Sequence, residues 1–120
     1  MNRLAVANEL VKVAKDLTAG SEYYDRTGWD GTNLYLTFRF DSQDFDETTA
    51  VRSAKASVNP GVQSAIEAAI KKDGKMPVRW EYRAATERMT GDWVVNIVVE
   101  TKVSPNGNNL LNAIENIMKR

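Results

Sequence analysis

The sequence predicts an α+β fold of the order α-ββα-ββα, an antiparallel sheet of four to five strands with the second and third helices on one face. Three observations predict it. LYLTFRFD, residues 34–41, alternates apolar and polar side chains as a half-buried strand does. VNPGVQSAIEAAIKK, residues 58–72, sets apolar residues at helical spacing behind an Asn-Pro start. The C-terminal VSPNGNNLLNAIENIMKR echoes that segment: Val58-Asn59-Pro60 answers Val103-Ser104-Pro105, and Ala65-Ile66-Glu67 answers Ala113-Ile114-Glu115. The echo implies a single domain, residues 1–120, built as an N-terminal amphipathic helix (1–20) and two ββα units (33–74 and 77–120). The repeated residues then serve capping and core packing, not a doubled active site.

Each element has its own justification. Over residues 3–18, Leu4, Ala7, Val11 and Ala14 form one helical line and Val6, Leu10, Val13 and Leu17 the adjacent one, between Asn2 as a cap and Gly20 as a stop. A stripe this wide needs a large partner surface, expected to be the sheet of the same domain. Residues 21–33 are rich in turn formers and read as a loop, with a short strand near Glu22–Asp25. In the strand at 34–41, Leu34, Leu36, Phe38 and Phe40 point one way and Tyr35, Thr37, Arg39 and Asp41 the other. Residues 42–47 form an acidic connection. Residues 48–58, TTAVRSAKASV, suit helix or strand; strand is expected, because the second unit places one there.

The helix at 60–72 is capped by Asn59, begins at Pro60, pairs Glu67 with Lys71 and closes at Gly74. Residues 78–86 and 92–103 form a hairpin whose register follows from charge. A two-residue Thr90-Gly91 turn would oppose Glu81 to Glu100 and Arg79 to Lys102. A four-residue loop, Arg88–Gly91, instead sets Arg79 against Glu100 and Tyr82 against Ile97, and is preferred. A last helix over 107–119 is expected to bury Leu110, Leu111, Ile114, Ile117 and Met118.

Composition narrows the function classes. Sixteen basic residues balance 16 acidic ones, so no global field draws nucleic acid, a membrane surface or an acidic partner. Cysteine and histidine are absent, which removes thiolate chemistry, the usual transition-metal ligands and the side chain best suited to proton transfer near neutral pH. No stretch approaches the ~20 apolar residues of a membrane span. Lys12, Lys15 and Asp16 interrupt the N-terminal apolar pattern, which reads as a helix and not as a signal peptide. The expectation is no enzyme, no catalytic residue, no metal and no cofactor, since no spacing singles out a carboxylate pair, an activated lysine or a serine with its base.

Four groupings remain as candidates. Asp41, Asp44, Asp46 and Glu47 have the density of a cation loop but not its alternating spacing, and read as a solvated acidic turn. Tyr23, Tyr24 and Trp29 form either a recognition loop or a set of aromatics folded back on the core edge. Val94 and Val98 fall on the outward strand face, covered by the first helix or by a second chain, which makes a homodimer one expectation and extends the possible interface to Tyr23, Tyr24, Trp29, Val94 and Val98. Tyr35, Arg39, Arg79, Arg83 and Lys102 share that outward face as a possible nucleic-acid surface, diluted by Asp41, Glu81 and Glu100 into a cross-strand ion-pair ladder.

The opening LAVANELVKVAKDLTAG, through Val6, Ala7, Glu9, Leu10, Val11, Val13, Ala14, Lys15, Leu17, Thr18 and Ala19, resembles a segment near the start of many virion and accessory proteins of large tailed bacteriophages. The resemblance covers the first helix alone. It implies a non-enzymatic structural or accessory protein acting through protein–protein contacts, located in the virion or the bacterial host cytoplasm. It also implies a head-maturation cleavage after Glu in small-x-Glu sites, which Gly20-Ser21-Glu22 fits, so that the first helix would be a detachable tag. The predicted order of elements also looks like that of type III secretion chaperones, dimeric modules that bind a peptide or protein; those are typically acidic, and the zero net charge departs from that habit.

Overall fold

A computed structural model describes residues 3–103, with side chains from Glu9 onward. The fold is α+β. The elements are α1 (Arg3–Thr18), β1 (Tyr24–Trp29), β2 (Asn33–Phe40), α2 (Glu47–Ser57), α3 (Pro60–Lys72), β3 (Lys75–Thr86) and β4 (Trp93–Val103). The four strands form one antiparallel sheet in the order β1-β2-β4-β3. The two hairpins thus lie side by side, with α2 and α3 as the connection between them. The expected helix at 107–119, with Leu110, Leu111, Ile114, Ile117 and Met118, lies outside the described residues.

Alternation in the central strands builds the core. Leu34, Leu36 and Phe38 of β2, with Val95, Ile97 and Val99 of β4, are fully buried on one sheet face, and Phe40 is 1% exposed beside them. Helices lay Leu10 and Ala14 (α1), Ala50 and Ala54 (α2), Val58, and Ile66 and Ile70 (α3) onto that same face. The long side chains in this layer each contribute roughly 1.5–3 kcal/mol by leaving water. α1 rests over β1 and β2 against α3, while α2 covers β3 and β4 and α3 covers β3. All three described helices therefore share one face, and α1 does not cover the other. Its stripe is also narrower than its sequence suggests, since Leu17 is 36% exposed.

Two expectations are corrected. Residues 48–58 do not form a strand; they belong to α2 and its C-cap Val58. Asp46 caps that helix, accepting from Thr49 N at 2.8 Å while the Thr49 hydroxyl accepts from Asp46 N at 3.0 Å, a reciprocal capping box. Ala50, Ala54 and Val58 recur at four-residue intervals, the spacing of one helical face, and all three are buried. Alanine lets this helix approach the sheet closely, which is why its apolar face is so small. Residues 33–74 consequently hold one strand and two helices.

The second correction is β1. Residues 24–29 form an edge strand, later and longer than the short strand near Glu22–Asp25 that the sequence suggests within a loop, and it pairs with β2 from Tyr24 opposite Phe38 to Trp29 opposite Leu34. Backbone pairing overrides the turn propensity of Asp25 and Gly28.

The α3 bounds and the hairpin register agree with the sequence, but the expected Glu67–Lys71 pair does not form. Asn59 Oδ1 accepts from Val62 N at 3.0 Å, Pro60 opens the helix, and Gly74 follows its end at φ +80°. Glu67 accepts from Trp80 Nε1 at 3.3 Å and forms no ion pair with Lys71 among the described residues. Arg79 opposes Glu100 and Tyr82 opposes Ile97, the register that charge repulsion selects.

Candidate functional site: the open sheet face

Strand alternation that fills one face of the sheet also specifies the other. The second face presents Arg26 and Gly28 from β1, Tyr35, Thr37 and Arg39 from β2, Val94, Asn96, Val98 and Glu100 from β4, and Arg79, Glu81, Arg83 and Ala85 from β3. No helix among the described residues packs on it. Two β-bulges aim its edges. Asp25 is the extra residue between the Tyr24–Phe38 and Arg26–Thr37 pairs. This insertion sends Tyr24 to the core and Arg26 to the open face, which strict alternation would have kept on one side. Val78 plays the same part between Pro77 and Arg79 in β3 and is left 50% exposed.

The sequence-predicted residues separate into three groups. The first folds inward. Tyr23 packs on Phe40 and Phe45 with ring centroids 4.7 and 5.2 Å apart, and Tyr24 meets Phe38 edge-on at 6.4 Å. Trp29 lies against the core with Lys75 Nζ 4.8 Å from its ring centroid. These three aromatics belong to the core edge and not to the open face.

The second group is Val94 and Val98. Both lie on the open face, opposite Arg39 and Tyr35 of β2. α1 is on the far side of the sheet. Even so, Val98 is only 4% exposed and Val94 half-buried. Tyr35 and Glu81 stand on either side of Val98. Tyr35 is fixed by donating its hydroxyl to Asp30 at 2.7 Å. Asp30 also accepts from Thr32 N and Asn33 N, and these hydrogen bonds hold its carboxyl far below the usual carboxylate range.

The third group is the basic set. Tyr35, Arg39, Arg79 and Arg83 do share the face, but the arginines are tied up. Arg39 Nε meets Asp92 at 2.9 Å, and its Nη2 meets Glu87 at 3.3 Å and Thr90 at 2.8 Å. Arg79 and Arg83 clasp Glu81 between them, at 2.6 and 2.5 Å, and Arg79 also reaches Glu100 at 3.2 Å. These cations hold the Glu81 carboxyl below its ordinary value. Lys102 is eight residues along β4 from Val94, roughly 26 Å away at strand spacing, so it stands apart from Arg39. The acidic turn likewise spends its carboxylates locally: Asp41 accepts from Gln43 N at 2.8 Å and Asp46 caps α2.

Arg26, Gly28 and Asn96 carry no motif in the sequence. They line, with Tyr35 and Thr37, a depression of about 240 Å³ on the open face. Thr37 donates to Asn96 Oδ1 at 2.5 Å, and Thr37 is only 2% exposed. Arg26 is exposed and makes no ion pair among the described residues. The bulge in β1 sets the parity that puts Arg26 on the same face as Tyr35.

The fold and face together define a two-layer α+β domain with helices on one side and a mixed, polar-framed sheet surface on the other. No family model matches the chain, and neither a curated protein nor a solved structure matches it. No helix among the described residues is long and apolar enough to cross a membrane.

Proposed function

We propose that this is a non-enzymatic structural or accessory protein of the phage-virion kind, working through protein–protein contacts made on its open sheet face. The observation that carries the reading is the composition of that face. Tyr35 stands at mid-sheet over the nearly covered Val98, half-buried Val94 lies toward the β3–β4 turn, and prearranged ion pairs flank them: Arg39 with Asp92 and Glu87, and Arg79–Glu81–Arg83. Aromatic and apolar side chains set among paired charges are a composition that protein contacts use. Nucleic acid is less well served, because a strand needs a track of available cations and most of these are already neutralised. The absence of histidine and cysteine leaves the face without the common acid–base and nucleophilic groups.

Self-contact tests the reading with the chain alone, since a surface built for a protein partner accepts a second copy at high concentration. Sedimentation equilibrium is expected to show concentration-dependent association that Val94→Asp weakens by about tenfold, a charge having been placed in an apolar contact. A wild-type chain that stays monomeric up to millimolar concentration, or association indifferent to Val94→Asp, would remove the open face from the proposal. Salt-sensitive binding of an oligonucleotide would replace it with the nucleic-acid reading.

A further inference from the structure

We infer that the Arg26–Gly28–Tyr35–Thr37–Asn96 depression is a recognition site for a carboxylate, carried by an acidic side chain of a partner peptide. The inference deepens the proposed function and rests on it in one respect, that partners meet the open face. Its own support is the donor set. Every other arginine of that face has a carboxylate partner: Arg39 has Asp92 and Glu87, Arg79 has Glu81 and Glu100, and Arg83 has Glu81. Arg26 alone among them has none within the described residues, and it is the one that lines a depression.

Asn96 adds a second donor. Its Oδ1 is occupied by the Thr37 hydroxyl, which leaves the Nδ2 hydrogens free, and Nδ2 makes no hydrogen bond among the described residues. Tyr35 supplies a ring fixed in place, because its hydroxyl is held by Asp30. Arg83, opposite Asn96 on the neighbouring strand, adds positive potential without being free itself. The lining therefore offers an unpaired guanidinium, an amide NH₂ and an aromatic wall, and it contains no carboxylate, which suits an anion.

Size and geometry select the anion. Pockets for whole small molecules span about 300–1,000 Å³. At about 240 Å³ this one is below that range and suits a single side chain delivered by a larger partner. Gly28 keeps the floor clear: a Cβ built there meets nothing within 4 Å, so any side chain at this position would stand in the space the ligand takes. The planar fork of Arg26 fits the two oxygens of a carboxylate. A nucleic-acid phosphate is disfavoured, because one unpaired arginine gives no continuation along a phosphate backbone.

The test is a ¹H–¹⁵N NMR titration of the full chain with a short, end-blocked peptide of alternating Glu and Ala, against a Gln/Ala twin. Saturable shifts are expected at the Gly28 amide and the Asn96 side-chain NH₂ with the Glu peptide only. Arg26→Gln is expected to weaken binding about tenfold, and Gly28→Val to abolish the Asn96 side-chain shift by filling the depression. Lys102→Gln, on the same face but outside the depression, is expected to leave the affinity unchanged. Shifts that spread over all exposed cations without saturating would overturn the site, as would equal affinity in Arg26→Gln. An oligothymidylate that displaces the peptide and depends more strongly on Arg26 would assign the site to phosphate instead. Self-association that still responds to Val94→Asp while the Glu peptide fails to bind would sink this inference alone. Loss of both effects would sink the proposed function with it.

Discussion

Asp30 shows how much one exposed residue can organise. Its carboxylate takes the backbone N–H groups of Thr32 and Asn33, the Asn33 amide and the Tyr35 hydroxyl, so it closes the β1–β2 turn and fixes a wall of the candidate site at once. Its folded pKa lies below the unfolded value of about 4, so its contribution is complete above that pH and is lost as pH falls through the folded pKa. Asp30→Asn, which keeps an acceptor but not the charge, is expected to lower stability by about 1 kcal/mol near neutral pH after allowance for solvent screening. The gap between variant and wild type should narrow progressively as pH falls below about 4, read by urea denaturation across the acid range. A gap independent of pH would mean that the turn depends on shape and not on charge. Asp46, Glu81 and Glu87 are also held below their ordinary values, so the wild type itself should weaken in acid. Gly74 is a second residue-scale case. It sits at φ +80° after α3, and a Cβ there meets nothing within 4 Å, so Gly74→Ala should cost only the backbone strain, about 1 kcal/mol in thermal or chemical unfolding. That glycine was legible in the sequence as a helix stop. Arg26 was not legible as a site residue, because its neighbours Asp25 and Gly28 signal a turn and the bulge that turns it outward has no local sequence mark.

At the scale of elements, local pattern succeeded wherever one face is wholly apolar. β2 alternates Leu34, Leu36, Phe38 and Phe40, all buried, and α3 repeats Ile66 and Ile70 behind an Asn-Pro cap. β4 carries its register in its charges, since Arg79 against Glu100 is attractive and the slipped alternative is not. α2 failed for a physical reason: its buried line is Ala50, Ala54 and Val58, and alanine contributes too little apolar area to outweigh Thr48, Thr49 and Val51, which favour strands. The deciding signals were the Asp46 cap and the four-residue interval, both present in TTAVRSAKASV and its flank. The repeat of Ala-Ile-Glu pulled the reading the other way, toward a duplicated hairpin. The same small side chains make α2 sensitive to volume. Ala54 is fully buried between α2 and the sheet, so Ala54→Leu should overpack it by about 1–3 kcal/mol, whereas Ala56→Leu on the exposed side should leave the unfolding midpoint nearly unchanged. Equal tolerance at both positions would mean that α2 stands off the sheet.

For the whole molecule, the uneven distribution of helices decides what α1 can be. With all three described helices on one face, α1 is part of the cover over β1 and β2, not an appendage. Leu10 is 3% exposed and Ala14 fully buried, and the Thr18 hydroxyl, itself 1% exposed, closes back on Ala14 O at 2.8 Å. A detachable tag predicts that the remaining chain stands alone. The packing predicts the opposite, because cutting after Glu22 would uncover core side chains that α1 now shields. Leu10→Ala should cost about 2–5 kcal/mol, a large share of the roughly 5–15 kcal/mol that holds a domain together. The chain beginning at Tyr23 should then lose its cooperative thermal transition, followed by near-ultraviolet circular dichroism of Trp29, Trp80 and Trp93. If that shortened chain instead melts as sharply and at the same temperature as the full one, α1 is dispensable and the Gly20-Ser21-Glu22 site regains its meaning as a processing signal. If it does not, cleavage there would have to come after assembly, when contacts on the open sheet face or elsewhere replace what α1 supplies.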